Sequence, residues 1–317
     1  MIMRSGFIYK LIRFKPFGSL INQSKRVVLP GFDGLSLYTV ARFFIKGLYE
    51  GYISSRAAAI SFSFFLAIFP SLLFIFTIIP FIPIDNFQVS LLTLIHDFLP
   101  KSTYETIKVT IEDVVTRPRG DLLSLGFILT LYFTSNGINS LMEAFNNTYH
   151  TIETRAVIKQ YLISILLVFI LSILLIIAIG LMTFGSSILY LIVPDFFLES
   201  AFYSVILWLL QWGVAVATLF FAISFIYFLA PAKRKHFRFI SAGSSLATFL
   251  VVLTTLGFNF YVDNFGTYNI LYGSIGTLII ILLWIYFNSM SLLIGFELNA
   301  SIHNAKKGEQ KLVSKKS

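Results

Sequence analysis

Apolar residues run along this chain in long blocks that are separated by shorter polar segments. A helix that crosses a bilayer needs about 20 predominantly apolar residues, and six blocks reach that length. They lie at roughly 58–82, 122–142, 160–184, 202–229, 240–262 and 273–298. The pattern therefore predicts an all-α, polytopic membrane protein with six transmembrane helices, which we number spans one to six.

Two further segments have an amphipathic pattern. Between Ser36 and Ser55, apolar residues recur at helical spacing, namely Leu37, Val40, Phe44, Leu48 and Tyr52. Such a helix either lies in the membrane interface or packs on the cytoplasmic ends of the spans, and the pattern leaves both open. The segment 84–121 mixes apolar runs with charges and predicts two short amphipathic helices, broken at Pro100, on the far side of the membrane.

These patterns divide the chain into three parts. Residues 1–57 form a basic, amphipathic cytoplasmic segment, residues 58–302 form the membrane domain, and residues 303–317 form a basic tail. No apolar core follows the first basic residues, so a signal peptide is not expected.

The composition agrees with a membrane protein. Hydrophobic residues make up 57% of the 317 positions and charged residues 12%, against about 45–50% and about 25% in soluble domains. The chain has no cysteine, which excludes disulfides, thiolate metal sites and a cysteine nucleophile.

The net charge of +9 is unevenly placed along the chain. Basic residues gather in 1–57, at Arg155 and Lys159, in 233–238 and in the tail, whereas the loops after spans three and five carry only acidic charges. With six spans, this alternation obeys the positive-inside rule and places both termini in the cytoplasm. The basic clusters suit anionic lipids at the cytoplasmic face better than nucleic acid. The sequence leaves open whether the chain forms a homo-oligomer.

Two motifs resemble a known family. The stretch 56–70, RAAAISFSFFLAIFP, resembles the first-span signature of the YihY/BrkB family of bacterial membrane proteins. The stretch 268–302, YNILYGSIGTLIIILLWIYFNSMSLLIGFELNASI, resembles its closing segment and contains a Gly-x-Glu-x-Asn pattern at Gly295, Glu297 and Asn299.

The resemblance implies a six-span protein of the bacterial inner membrane. Members of the family have been linked to serum resistance, and some have been proposed to move lipids or solutes. An older label, ribonuclease BN, is regarded as a misassignment. The family has no agreed catalytic residues to carry over to this chain.

Ionisable side chains inside spans are costly and are therefore candidates for function. Arg56 at the start of span one and Glu297 near the end of span six fall at the same membrane level. We hypothesise that they form an ion pair that clamps these two spans on the cytoplasmic side. The alternative is that each side chain reaches the lipid headgroups separately.

Two polar stripes follow helical steps of three, four or seven residues. The span six stripe consists of Thr277, Trp284, Asn288, Ser291, Gly295 and Asn299. The span two stripe consists of Asn136, Asn139, Glu143 and Asn147. The first is either a packing interface or a substrate path. The second either faces span six and lines a polar cavity, or partly belongs to the following loop. In span one, Pro70 can introduce a hinge or a static kink.

The sequence lacks the patterns typical of an enzyme. Its four histidines are scattered over loops and the tail, and HExxH, phosphate-loop and Gly-x-Ser-x-Gly motifs are absent. We therefore expect no catalytic residue, no metal site and no cofactor. The sequence favours transport of a lipid, lipid-linked or amphipathic solute along a polar path between spans one, two and six. The alternative is a non-transporting scaffold or envelope-maintenance factor.

Overall fold

The computed structural model describes most of the chain, and its architecture is helical. The described residues are 22–82, 88–89, 92–93, 113, 117–148, 151–152, 155–192, 201–232, 238–265 and 274–314. The helices are α1 (Leu37–Glu50), α2 (Ile53–Ile78, continued by a 3₁₀ turn at Ile79–Phe81), α3 (Gly120–Asn146), α4 (Val157–Ile192), α5 (Ala201–Leu229), α6 (Ala242–Phe265) and α7 (Ser274–Ser314). A short antiparallel ladder of β1 (Asn147–Thr148) and β2 (Thr151–Ile152) joins α3 to α4.

Five helices within these ranges are long and apolar enough to cross a membrane. The spanning segments are Ile53–Phe81, Val157–Gly185, Val205–Leu229, Ala242–Val262 and Gly276–Gly308. The chain is thus a polytopic membrane protein. The helix predicted as span two, α3, is 27 residues long but is not among these five. Its polar residues, which include Asn136, Asn139 and Glu143, lower its mean hydropathy, so the sixth span stays a prediction.

The outer surface of the bundle is apolar, as a lipid-facing surface must be. Large side chains on different helices are more than half exposed, for example Phe62, Ile128, Ile176 and Phe249. In water such a surface would be a liability, so its exposure is explained by contact with hydrocarbon.

Helices α2 and α3 pack antiparallel and share the most extensive contact in the bundle. Gly126 of α3 lies against the main chain of Phe74, and Gly137 lies against the Phe64 ring. Near the other end of this helix pair, the hydroxyls of Ser63 and Ser140 are hydrogen-bonded at 2.8 Å. Small residues on α3 therefore allow the two backbones to approach closely.

The second half of α7 contacts most of the bundle. Helices α6, α2 and α1 all pack against α7. On another side, Phe296 of α7 stacks on Phe145 of α3 with ring centroids 4.1 Å apart, and Tyr227 of α5 meets both rings edge-on. This half of α7 is thus the centre of the core, where Leu293, Phe296 and Glu297 are almost fully buried.

One end of the bundle holds the connection at residues 51–52 and the described parts of the connections at 147–156 and 230–241, and we call it the basic end. The connections contact each other there: the Ala232 amide donates to Asn146 Oδ1 at 2.9 Å, and the Arg155 guanidinium donates to the Pro231 carbonyl. The described basic residues Arg56, Lys159 and Arg238 also lie at these turns.

Several boundaries differ from those expected from hydropathy. Helix α2 begins at Ile53 rather than near residue 58, directly after a two-residue connection in which Tyr52 has a left-handed backbone conformation. Helix α7 does not end near residue 298 but continues to Ser314. At 41 residues it is about 60 Å long, roughly twice the thickness of a hydrocarbon core. Most of the two helices expected in 84–121 lies outside the described residues.

The amphipathic helix expected between Ser36 and Ser55 is present as α1. The Ser36 hydroxyl accepts a hydrogen bond from the Thr39 amide and so caps its N-terminus. Its buried residues Val40 and Gly47 face α7, which agrees with packing on the ends of the spans. Its exposed side also carries apolar side chains, Ile45 and Tyr49, so placement in the membrane interface remains a prediction.

Candidate functional site at the basic end

Arg56 lies where four helices meet. It stands in the first turn of α2, and its side chain is only 12% exposed. Its guanidinium donates to the main-chain carbonyl of Gly51, at the C-terminus of α1, at 2.9 Å, and to the carbonyl of Ala144 in the last turn of α3. Carbonyls at helix C-termini carry partial negative charge and lack partners within the helix. Arg56 therefore satisfies two helix ends at once.

The fourth helix at this junction is α7, which contributes Glu297. Its side chain is fully buried, and its Oε2 lies 4.0 Å from Arg56 Nη1. The structure thus brings together the two residues that were hypothesised to pair. It also adds a feature that the hypothesis lacked, because Arg56 hydrogen-bonds to main-chain carbonyls and meets Glu297 only at ion-pair distance.

Gly47 of α1 forms the remaining wall of the Glu297 site. A Cβ built at Gly47 would overlap Glu297 Oε1 and would lie 2.7 Å from its Cδ. Glycine in a helix interior is destabilising by about 1 kcal/mol relative to alanine, and here it makes room for a buried carboxylate. We call Arg56, Glu297 and Gly47 the four-helix junction.

The polar stripe of α7 faces α6. Asn299 Oδ1 accepts a hydrogen bond from the Gly243 amide at 2.9 Å, and Asn299 Nδ2 donates to Ser241 Oγ at 2.8 Å. Asn299 thereby caps the N-terminus of α6 from another helix. Farther along, the hydroxyls of Ser291 and Thr254 lie 3.1 Å apart.

Gly295 marks the closest approach of α6 and α7. A Cβ at this position would lie 2.6 Å from both the Ala247 Cβ and the Gly243 carbonyl oxygen, and 2.7 Å from the Tyr227 hydroxyl. Two small-xxx-small pairs cross here, Gly243 with Ala247 and Ser291 with Gly295, an arrangement that allows membrane helices to pack at short range.

The polar stripe of α3 faces α4 and not α7. Buried Asn139 accepts a hydrogen bond from Gln160 Nε2 of α4 at 2.6 Å and donates to Glu143 Oε1 at 3.1 Å. Glu143 and Asn147 are exposed at the basic end. Asn139 thus contacts α4 and not span six, and Asn147 lies beyond the end of α3. A polar cavity along this stripe stays a prediction.

For three other candidates, Pro70, Asn288 and Asn136, the described hydrogen bonds lie within their own helices. Helix α2 runs without interruption through Pro70, and the Ser71 hydroxyl donates to the Ala67 carbonyl at 2.7 Å. Asn288 donates to the Trp284 carbonyl of its own helix at 2.8 Å. Asn136 is half-buried on α3, and its main-chain carbonyl accepts from Ser140 Oγ.

A pocket opens at the basic end between the start of α6, α7 and the loop that precedes α1. Its volume is about 350 Å³. The polar residues that line it are Asp33, Arg238, Ser241, Ser245, Asn299 and His303, and Ile240 and Ile302 add apolar wall. We call it the basic-end pocket.

Asp33 organises the charges of this pocket. Its two carboxylate oxygens contact Arg238 Nη2 and Lys306 Nζ, each at 3.0 Å. Asp33 adopts a left-handed backbone conformation with φ 53°, between Gly31 at 85° and Gly34 at 84°. Aspartate tolerates this conformation better than most side chains do, and the tight loop presents its carboxylate to both cations.

Sequence reasoning missed several residues of this end. Gly47 could have been noticed, since an isolated glycine inside an amphipathic helix usually has a packing reason. Asp33 sits between two glycines in the sequence, which is typical of a loop with left-handed backbone. Asn146 and Gln160 gave no pattern that distinguishes them from other polar residues near a turn. Within the described ranges, no three His, Asp or Glu side chains are grouped as for a metal ion.

Together, the apolar outer surface, the spanning helices and the polar contacts buried between them define an integral, multi-pass membrane protein. Comparison with known proteins gives the family. A family model described as "Virulence factor BrkB" matches residues 44–317. The chain therefore belongs to the BrkB family, as its two motifs predicted.

Relatives agree with this assignment over nearly their whole lengths. The chain is 31% identical to the ribonuclease-like protein YfkH of Bacillus subtilis (strain 168), over 83% of this chain and 96% of YfkH. It is 24% identical to a UPF0761 membrane protein of Haemophilus influenzae, over 87% of this chain and 98% of that protein. A UPF0761 membrane protein of Aggregatibacter aphrophilus is 25% identical over 83% of this chain and 91% of the relative. No solved structure matches the chain.

Proposed function

We propose that this protein transports a lipid, lipid-linked or amphipathic solute, which it receives at the cytoplasmic leaflet. The observation that carries the proposal is the position of the basic-end pocket. It is polar and charged inside, and it adjoins the lipid-facing side of α6, since Ser245 both lines the pocket and begins the exposed face of that helix. A molecule with a polar head and an apolar tail suits such an opening.

The proposal includes six spans and two cytoplasmic termini in a bacterial inner membrane. Helix α3 is 27 residues long, or about 40 Å, which exceeds a hydrocarbon core of about 30 Å. It packs antiparallel along α2, an apolar spanning helix. Asn139, the buried polar residue of its stripe, is hydrogen-bonded to Gln160 of α4, so it need not face lipid. The basic residues at the turns of the basic end support a cytoplasmic position for that end.

A second candidate is a non-transporting scaffold or envelope-maintenance factor. The polar stripes of α3 and α7 favour it, because their hydrogen bonds close between neighbouring helices rather than around a shared cavity. In this reading the four-helix junction and the Asn299 cap only hold the bundle together.

We also propose that the protein is not an enzyme, although one relative carries a ribonuclease-like name. The proposal depends on the sequence, in which histidines are scattered and hydrolase and phosphate-loop motifs are absent.

Reconstitution into liposomes tests transport directly. Purified protein in vesicles that contain trace fluorescent phosphatidylglycerol, phosphatidylethanolamine or lipid-linked isoprenoid phosphate should accelerate movement of at least one probe between leaflets. The probe is read by bleaching with a membrane-impermeant reductant. A variant with Ser245→Leu tests the pocket itself, because leucine narrows the pocket at the membrane without changing the charge of the protein.

Equal rates in protein-free vesicles and in vesicles with the wild-type protein, for every probe, would favour the scaffold. Acceleration that is unaffected by Ser245→Leu would leave transport standing but remove the basic-end pocket from its path.

A further inference from the structure

The basic-end pocket continues into a strip of exposed side chains along α6. From Ser245 the strip runs through Phe249, Leu253 and Leu256, at steps of three and four that keep these residues on one helix face. Phe249 is 64% exposed and Leu253 54%. The polar opening and the apolar strip therefore share one surface of one helix.

The strip leads to a second concavity between α5 and α6. This groove has a volume of about 190 Å³, and its walls are mainly apolar, with Trp212, Val216 and Leu219 on α5 facing Val252 and Leu256 on α6. Leu256 belongs to both the strip and the groove. Eleven residues of helix separate Ser245 from Leu256, or about 17 Å, close to half of a hydrocarbon core of about 30 Å. Measured along α6, the distance from the pocket to the groove is thus about the thickness of one leaflet of the hydrocarbon core.

The charges of the pocket select the kind of headgroup. Arg238 and Lys306 both contact Asp33, so among the described residues these three side chains carry one net positive charge. Arg238 is 70% exposed and can reach a ligand while it stays near Asp33. A cationic ammonium headgroup gains little binding energy here, because Asp33 already pairs with two cations. A phosphate monoanion instead neutralises the remaining positive charge.

We propose that the basic-end pocket binds the phosphodiester headgroup of an anionic phospholipid, one of whose acyl chains lies along α6 and ends in the groove at Trp212. This inference rests on the proposed function, since it assigns the lipid and the residues of the same pocket. Arg238 contacts the phosphate, exposed Ser245 offers its hydroxyl to the headgroup, and the strip accommodates the chain. Free phosphate would use only the first half of this surface.

Binding in detergent, separate from transport, tests the headgroup site. We expect the wild-type protein to bind dioleoyl phosphatidylglycerol at least about tenfold more tightly than dioleoyl phosphatidylethanolamine by native mass spectrometry. Arg238→Gln should reduce the affinity for phosphatidylglycerol about tenfold, which is the effect of losing one charge-assisted contact. Ser245→Leu should reduce it without any change in charge.

Arg117→Gln is the matched control. Arg117 is also exposed (74%) and also pairs with an aspartate, Asp113, at 3.0 Å, but it lies at the opposite end of the bundle. The Arg117→Gln variant should bind phosphatidylglycerol with the affinity of the wild-type protein. Equal loss in Arg117→Gln and Arg238→Gln, or no loss in either, would overturn the assignment. Displacement of the lipid by millimolar inorganic phosphate would assign the pocket to free phosphate instead.

Trp212 reports the acyl chain. With Trp208 and Trp284 replaced by Phe, phosphatidylglycerol brominated in mid-chain should quench Trp212 more than the same mole fraction of brominated phosphatidylethanolamine does. Equal quenching by the two lipids would reject the chain path. Lipid binding with no flux in liposomes would reject the proposed function alone, and flux with no Arg238-dependent binding would reject this inference alone.

Discussion

Arg56 shows how one side chain can join several helices at the edge of a membrane. A lone cation opposite Glu297 would have only one partner, but Arg56 also donates to two carbonyls at helix C-termini. The partial negative charges at two helix C-termini and the buried carboxylate thus both stabilise the positive charge of Arg56. The positive charge of Arg56 thus offsets part of the cost of burying the Glu297 carboxylate.

Arg56→Ala should therefore be strongly destabilising. It removes the cation that lies 4.0 Å from buried Glu297 and the guanidinium donor to two main-chain carbonyls, and breaking a buried pair in this way costs about 3–5 kcal/mol. Arg56→Ala/Glu297→Gln should recover part of the loss, since a neutral amide is cheaper to bury. Thermal unfolding in detergent measures both, and exposed Arg42→Ala serves as the control. A double variant no more stable than Arg56→Ala would show that Glu297 is not what makes Arg56 necessary.

The pairing could be anticipated from the sequence, whereas its detail could not. Arg56 and Glu297 are rare charges at matching levels of two apolar segments, and this much is visible in a linear sequence. The carbonyls of Gly51 and Ala144 are not visible, because every residue has one and only the fold decides which lie near Arg56. For the same reason, a charge swap of Arg56 and Glu297 should fail, because a carboxylate at 56 cannot donate to them.

At the scale of helices, α7 determines the arrangement of its neighbours. Its faces differ in character: Gly295 and Asn299 meet α6, Glu297 meets α1 and α2, and Phe296 meets α3 and α5. Close approach, a carboxylate and an aromatic ring thus give each neighbour a different contact. Such differences specify which helix packs where better than uniform leucine surfaces would.

Gly295→Leu should disrupt the crossing of α6 and α7. The added side chain meets the main chain of Gly243, which cannot move aside as a flexible side chain can, and overpacking of this kind typically costs about 1–3 kcal/mol or more. Gly213→Leu is the matched control, because a Cβ at this glycine of α5 meets nothing within 4 Å. The thermal unfolding temperature in detergent should fall for Gly295→Leu and stay unchanged for Gly213→Leu. Equal stability of the two variants would contradict the close crossing.

Helical periodicity predicted which residues of α3 and α7 share a face, but not what those faces meet. The spacing of Asn136, Asn139 and Glu143 fixes an angle around one helix axis, and it carries no information about which helix occupies that angle. A partner on span six is therefore only one alternative that the spacing allows, and in the structure Asn139 contacts Gln160 of α4. The hydropathy of α7 also hid its true end, since the helix continues where the sequence becomes polar.

The two ends of the whole molecule differ in the charge of their described connections. The described connections at the basic end carry arginines and lysines, whereas at the opposite end Arg117 and Arg119 are both paired with Asp113. This asymmetry follows from the order of charges along the chain and could be predicted from the sequence. Whether α3 spans the membrane decides on which side each connection lies, and that is open to direct measurement.

Because the natural chain has no cysteine, single cysteines can report topology without background. Arg117→Cys and Lys159→Cys flank α3, and Lys307→Cys lies in the exposed part of α7 beyond residue 298. With six spans, a membrane-impermeant maleimide should label only position 117 in intact cells with a permeabilised outer membrane. All three should be labelled after lysis. Labelling of 117 and 159 from the same side would mean that α3 does not cross.

The central place of α7 has a consequence for how the protein is made. A ribosome delivers α1 to α6 to the membrane before α7 exists, because α7 follows them in the chain. Until it arrives, Arg56 lacks Glu297, the Gly243 amide lacks Asn299 Oδ1 as its acceptor, and Phe145 lacks the Phe296 ring on which it stacks. The nascent protein must wait in the bilayer with polar gaps where the last helix will sit. Insertion machinery or chaperones that shield such gaps should therefore affect its yield more than they affect its finished stability.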